Sequence, residues 1–120
     1  IIYDYFKPKS YTIVDLPEVC DLQKKYLKLF DIDIISIHAE DINKIDSDLI
    51  ISNYALTEVR EPLLSKYTNE VVLNATNGYI TCNRVEANSN LIKTLRENKS
   101  CIEKKDILGE SNDNCIIYWK

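Results

Sequence analysis

The sequence predicts an α/β fold: a mostly parallel sheet that closes in an antiparallel hairpin. Three observations carry that expectation. Short runs of β-branched, aromatic and aliphatic residues recur along the chain, separated by segments of helical period or crossover length, the pattern of a sheet with both faces covered. The stretch Tyr11-Thr-Ile-Val-Asp-Leu-Pro17 moves from strand to acid to helix within seven residues. The last two strand-like runs flank a polar turn, and strands joined so tightly must run antiparallel.

Taken in order, Ile1 to Phe6 reads as the end of a helix, with Pro8 in its exit turn. The first strand is Tyr11 to Val14, and Pro17 opens a helix that runs to about Phe30. Val19, Leu22, Gln23, Tyr26, Leu27 and Phe30 recur at three- and four-residue steps and form its expected inward stripe. Lys24, Lys25 and Lys28 take the opposite, solvated face. Asp33 to Ile37 is the second strand, and Asp48 to Ser52 the third. Asn53 to Val59 begins polar and becomes helical, and Pro62 starts another helix with Leu63, Leu64, Tyr67, Val71 and Val72 as its apolar face. Asn77-Gly78 carries a turn signal before a strand from Tyr79 to Asn83. A helix from Ser89 to Glu97 points Leu91, Ile92 and Leu95 inward. Cys101 to Leu108 and Cys115 to Trp119 are the closing strands, with Gly109 to Asn114 as their turn. The 120 residues suffice for one domain, and no linker or repeat divides them.

Composition narrows the function classes. With 28% charged and 45% hydrophobic residues the chain is expected to be soluble and globular. A net charge of −4 with no basic stripe argues against a nucleic-acid partner. No apolar run approaches the ~20 residues that cross a bilayer. Cys20, Cys82, Cys101 and Cys115 form no CxxC pair, and His38 is the one histidine, so no metal site is expected. Buried reduced thiols and the lack of a signal peptide suit a cytoplasmic protein. The chain begins at Ile1 within what reads as an element, which suggests a segment of a longer protein.

Three stretches carry a family resemblance: Tyr11-Thr-Ile-Val-Asp-Leu-Pro-Glu18, Ile51-Ser-Asn-Tyr-Ala-Leu-Thr-Glu58 and Asn77-Gly-Tyr-Ile-Thr-Cys-Asn83. In this order they resemble the class I S-adenosylmethionine-dependent methyltransferases, which have a Rossmann-like fold. The closer likeness is to sugar O-methyltransferases of bacterial surface-polysaccharide clusters. The resemblance implies S-adenosyl-L-methionine as cofactor and a sugar or other small-molecule hydroxyl as acceptor. It assigns Asp15 to the ribose hydroxyls and Leu16 to the adenine face. It assigns Asp41 to the adenine amino group, with Ile42 beside the ring. Ser52 and Asn53 would lie at the methionine end and Tyr54 near the acceptor. The family's first strand and glycine-rich loop are absent; the chain's two glycines, Gly78 and Gly109, are not placed for that loop. The domain over residues 1–120 is therefore expected to be incomplete at its N-terminal side.

From the residues themselves, alternatives stand beside these roles. Asp15 also reads as a helix cap and Asp41 as a turn residue. His38, at the carboxyl end of a strand, suits a base near neutral pH, or is a loop histidine. Glu58, one helical turn from Tyr54, is the other candidate base, or a solvated carboxylate paired with Arg60 or Lys66. An acid after the second strand also marks NAD sites. A nucleotide-dependent oxidoreductase domain and a non-catalytic interaction module therefore remain as competing expectations.

Overall fold

The computed structural model describes residues 2–83, 89–106 and 114–120. Its elements are mixed α and β: α1 (Ile2–Phe6), β1 (Thr12–Asp15), α2 (Pro17–Lys28), β2 (Ile35–His38), β3 (Ser47–Asn53), α3 (Ala55–Glu58), α4 (Leu63–Glu70), β4 (Ala75–Cys82), α5 (Ser89–Asn98), β5 (Ile102–Lys105) and β6 (Cys115–Trp119). Single 3-10 turns follow β2 at Ala39–Asp41 and precede β4 at Val72–Asn74. The chain divides into two compact units, Ile1–Ile42 and Asn43–Lys120.

In the first unit β1 and β2 form a two-stranded parallel sheet, registered from Thr12 opposite Ile35 to Asp15 opposite His38. Pro17 stands in the first turn of α2, where its missing N–H has no helical partner to lose. Cys20 is the residue of α2 that is fully buried, and its thiol lies 3.6 Å from the carbonyls of Asp15 and Ile37, joining helix to both strands. The expected inward stripe is only partly covered. Leu22, Tyr26 and Phe30 are exposed, the last two stacked edge to face on each other. A sheet two strands wide is too narrow to cover the whole apolar stripe of a twelve-residue helix.

In the second unit the strand order is β3-β4-β6-β5. β3 and β4 are parallel, whereas β6 lies between β4 and β5 and runs antiparallel to both. The antiparallel ending is as expected, and the strands are divided between two sheets rather than joined in one. Leu64, Val72, Ile80, Leu91, Leu95 and Trp119 lie in the core of this unit. Arg96 of α5 makes a two-pronged ion pair with Glu103 of β5 at 2.6 and 2.8 Å, which holds the Glu103 carboxyl below its usual range.

Several expectations need correction. Asn77 and Gly78 lie inside β4, not in a turn: Asn77 pairs with Leu49 of β3, and Gly78 with Ile50 of β3 and Trp119 of β6. Tertiary pairing overrides the local turn preference here. The Gly78 position faces the Trp119 ring, and a Cβ there would stand 2.1–2.4 Å from three of its carbons. Asn77 instead donates its side-chain amide to the Asp48 carbonyl on β3 at 2.7 Å. The sheet is also not covered on both faces. Register places Ile51, Tyr79, Tyr118 and Ile102 in one row, and Ile51, Tyr79 and Ile102 are exposed. Within Asn53 to Val59 the helix is α3, from Ala55, with Asn53 as the last residue of β3, and β5 stops at Lys105. Residues 109–113 of the expected turn from Gly109 to Asn114, and residues 107–108 of the expected strand before it, lie outside the described residues. No helix among the described residues is long and apolar enough to cross a membrane.

The Gly78–Trp119 contact yields a direct test. Trp119 is 3% exposed and its indole N–H donates to the Ala75 carbonyl at 3.3 Å, so the ring is held in place. Gly78→Ala should lower stability by about 1–3 kcal/mol through overpacking, read from the urea midpoint. An unchanged midpoint would show that the ring moves aside freely.

Candidate functional site

Parallel pairing brings two strand ends together in the first unit. Because β1 and β2 run the same way and Asp15 faces His38 in register, both side chains leave the sheet at its carboxyl end. Ligands of α/β sheets sit beyond that end. The turn Ala39–Asp41 then brings Asp41 back, and its carboxylate lies 3.6 Å from Nδ1 of His38. Asp41 is well exposed and His38 about half exposed.

The Asp15 carboxylate is tethered at both oxygens. Oδ1 accepts the Leu16 backbone N–H at 2.8 Å, and Oδ2 accepts the Gln23 side-chain amide at 3.1 Å. A carboxylate oxygen has two lone-pair sites, so each oxygen retains one for a donor from outside. The helix-cap alternative is not what the geometry gives. Leu16 is the N-cap of α2 and makes no side-chain cap, and the backbone N–H that Asp15 accepts is that of its immediate neighbour Leu16. Leu16 is 57% exposed, leaving an apolar surface beside the carboxylate. Ile42 is 1% exposed, so its side chain offers little surface to a ligand.

A second polar cluster occupies the carboxyl ends of β3 and β4 in the second unit. Ser52 accepts the Leu56 N–H at 3.0 Å and so caps the start of α3. Tyr54 sits at φ 61°, ψ −26°, a left-handed conformation uncommon for a residue with a Cβ. Its N–H donates to the Thr81 hydroxyl at 2.9 Å and to the Thr81 carbonyl at 3.1 Å. Its phenol donates to Asp106, a carboxylate 4% exposed. The hydrogen bond to Asp106 is the largest cause that raises the Tyr54 pKa above 10, with burial second. Thr57 bonds the side chain of Asn83 at 2.6 Å, and Asn83 donates its amide to Glu58. Glu58 thus takes Asn83 as a partner, and Asn53 is exposed.

The predicted residues fall into two groups. Asp15, Leu16, His38, Asp41 and Ile42 belong to the first unit, and Ser52, Asn53, Tyr54 and Glu58 to the second. Within each unit they gather at the carboxyl end of a parallel strand pair. Gln23, Thr81, Asn83 and Asp106 join them without having been given a role from sequence. A polar residue on the apolar stripe of α2 was the available signal for Gln23. Asp106 follows Lys104 and Lys105 in a charged run and carries no such signal. Among the described residues no group of three or more His, Cys, Asp or Glu is arranged to hold a metal ion.

Comparison of the chain with protein-family models, with curated proteins and with solved structures gives no match. The functional reading therefore rests on the residues and their geometry.

The Tyr54–Asp106 bond has a measurable signature. Since the folded pKa is raised, the associated stability is present below pH 10 and is lost as pH rises through the folded value. Tyr54→Phe should unfold at lower urea than the parent at pH 7 to 9, with the difference shrinking above pH 10. A difference independent of pH across that range would contradict the assignment.

Proposed function

We propose that the chain is the nucleoside-binding part of an S-adenosylmethionine-dependent O-methyltransferase acting on a sugar or related hydroxyl. The observation that carries this reading is the Asp15 carboxylate, held at both oxygens and keeping one lone pair on each. A vicinal diol offers two hydroxyl donors at matching separation, and the ribose of the cofactor is such a diol. Leu16, exposed next to it, is placed to lie against a flat base. Asp41, on the turn after β2, supplies an acceptor for an exocyclic amine.

The strand pattern supports the same reading. Within each unit a parallel strand pair carries the candidate residues, β1 with β2 and β3 with β4. The antiparallel insertion of β6 between β4 and β5 fits a fold that ends in a reversed strand. When bound, the cofactor supplies a methyl group on a sulfonium. The protein's share of the work is to orient the donor and to take the acceptor's hydroxyl proton. His38 and Glu58 are the candidates for that proton. His38 Nδ1 stands 3.6 Å from the Asp41 carboxylate. Glu58 is held through Asn83 and Thr57.

Calorimetric titration of the full-length protein with S-adenosylhomocysteine tests the reading, with NAD as control because an acid after a strand also marks dinucleotide sites. S-adenosylhomocysteine should bind and NAD should not. Asp15→Ala should weaken the former at least about tenfold, since hydrogen bonds to a charged acceptor contribute about 1.5–3 kcal/mol. Failure of S-adenosylhomocysteine to bind, or unchanged affinity in Asp15→Ala, would overturn it. Binding of NAD in its place would favour an oxidoreductase.

A further inference from the structure

Gln23 lies two turns into α2, eight residues beyond Asp15, with its amide nitrogen 3.1 Å from Asp15 Oδ2. Its other polar atom, Oε1, is buried and has no hydrogen-bond partner. Turning the amide over would not remove the cost. The oxygen would then face the carboxylate, setting two acceptors against each other, and the nitrogen would be buried without a partner. A leucine at this position would fill a similar volume and remove the buried unpaired oxygen. As a contributor to stability, glutamine is thus a poor choice here, because a buried unpaired acceptor costs more than a typical hydrogen bond returns.

The geometry gives Gln23 another role. The Leu16 N–H alone holds Oδ1 and leaves the carboxylate able to swing about its Cβ–Cγ bond. A second donor on Oδ2, fixed to the helix, stops that rotation. With both oxygens held, the plane of the carboxylate is fixed. We propose that Gln23 is a positioning residue: it locks the plane of the Asp15 carboxylate so that the two oxygens meet the two hydroxyls of a nucleoside diol together. This inference rests on the ribose reading of Asp15. It adds that the pocket selects for the intact diol and that the selectivity is set from α2.

The test uses Gln23→Leu in the full-length protein, with S-adenosylhomocysteine and its 2′,3′-dideoxy counterpart as probes and urea unfolding alongside. The variant should bind S-adenosylhomocysteine about tenfold more weakly and the dideoxy probe as the parent does. Its unfolding midpoint should be equal to or above the parent's. Gln23→Glu, which sets a second carboxylate against the first, should lose at least as much affinity for the diol. An equal loss for both probes, or no loss for either, would overturn the role of Gln23 while leaving the diol-binding role of Asp15 standing. If the parent binds the two probes equally well, or neither, the ribose reading of Asp15 fails and Gln23 loses its role with it.

Discussion

Parallel pairing of β1 with β2 in a single register is the constraint on which the candidate site depends. A slip of one residue would send each side chain to the other face of its strand. Asp15 would then no longer stand opposite His38. The Cys20 thiol, on the buried side of α2, lies 3.6 Å from a carbonyl of each strand, Asp15 and Ile37. The sequence of cause is short. An apolar run makes the strand, Pro17 fixes where the helix starts, and the residue between them is left at the strand's carboxyl end with its oxygens tied to the helix.

The second unit is governed by a close approach. Gly78 lets the Trp119 ring lie directly on the backbone of β4, and the indole is further fixed by the Ala75 carbonyl. This brings β6 in beside β4, between it and β5. At the other end of the same sheet Tyr54 leaves β3 in a left-handed conformation and reaches the buried Asp106 beyond β5. Backbone strain of that kind persists where surrounding bonds over-determine it, and Thr81, holding the Tyr54 N–H from β4, provides the restraint. Cys82, opposite Cys115 on β6, has its pKa pushed up to about 12 by burial and is an unreactive packing thiol.

Much of the fold was legible in the chain. The runs at Tyr11–Val14, Asp48–Ser52 and Cys115–Trp119 became strands, and Leu91, Ile92 and Leu95 lie buried as their spacing predicts. What was not legible depends on partners distant in sequence. Asn77-Gly78 carries a turn preference that only the neighbouring strands and the Trp119 ring override. The stripe on α2 has helical period, yet period does not say how wide the surface beneath it is. At the site, an acid after a strand was visible in the order of residue types. Gln23 was visible only as a member of an apolar stripe, and Asp106 became meaningful only when β5 was laid beside β6, close to Tyr54.

The central claim is that the Asp15 carboxylate grips a ribose diol through the lone pairs left by Leu16 and Gln23. A crystal structure of the full-length protein with S-adenosylhomocysteine tests it most directly. The account predicts both ribose hydroxyls within hydrogen-bond distance, about 2.5–3.0 Å, of Oδ1 and Oδ2, with the Gln23 amide still on Oδ2. A nucleoside bound with its hydroxyls turned away from Asp15 would contradict it.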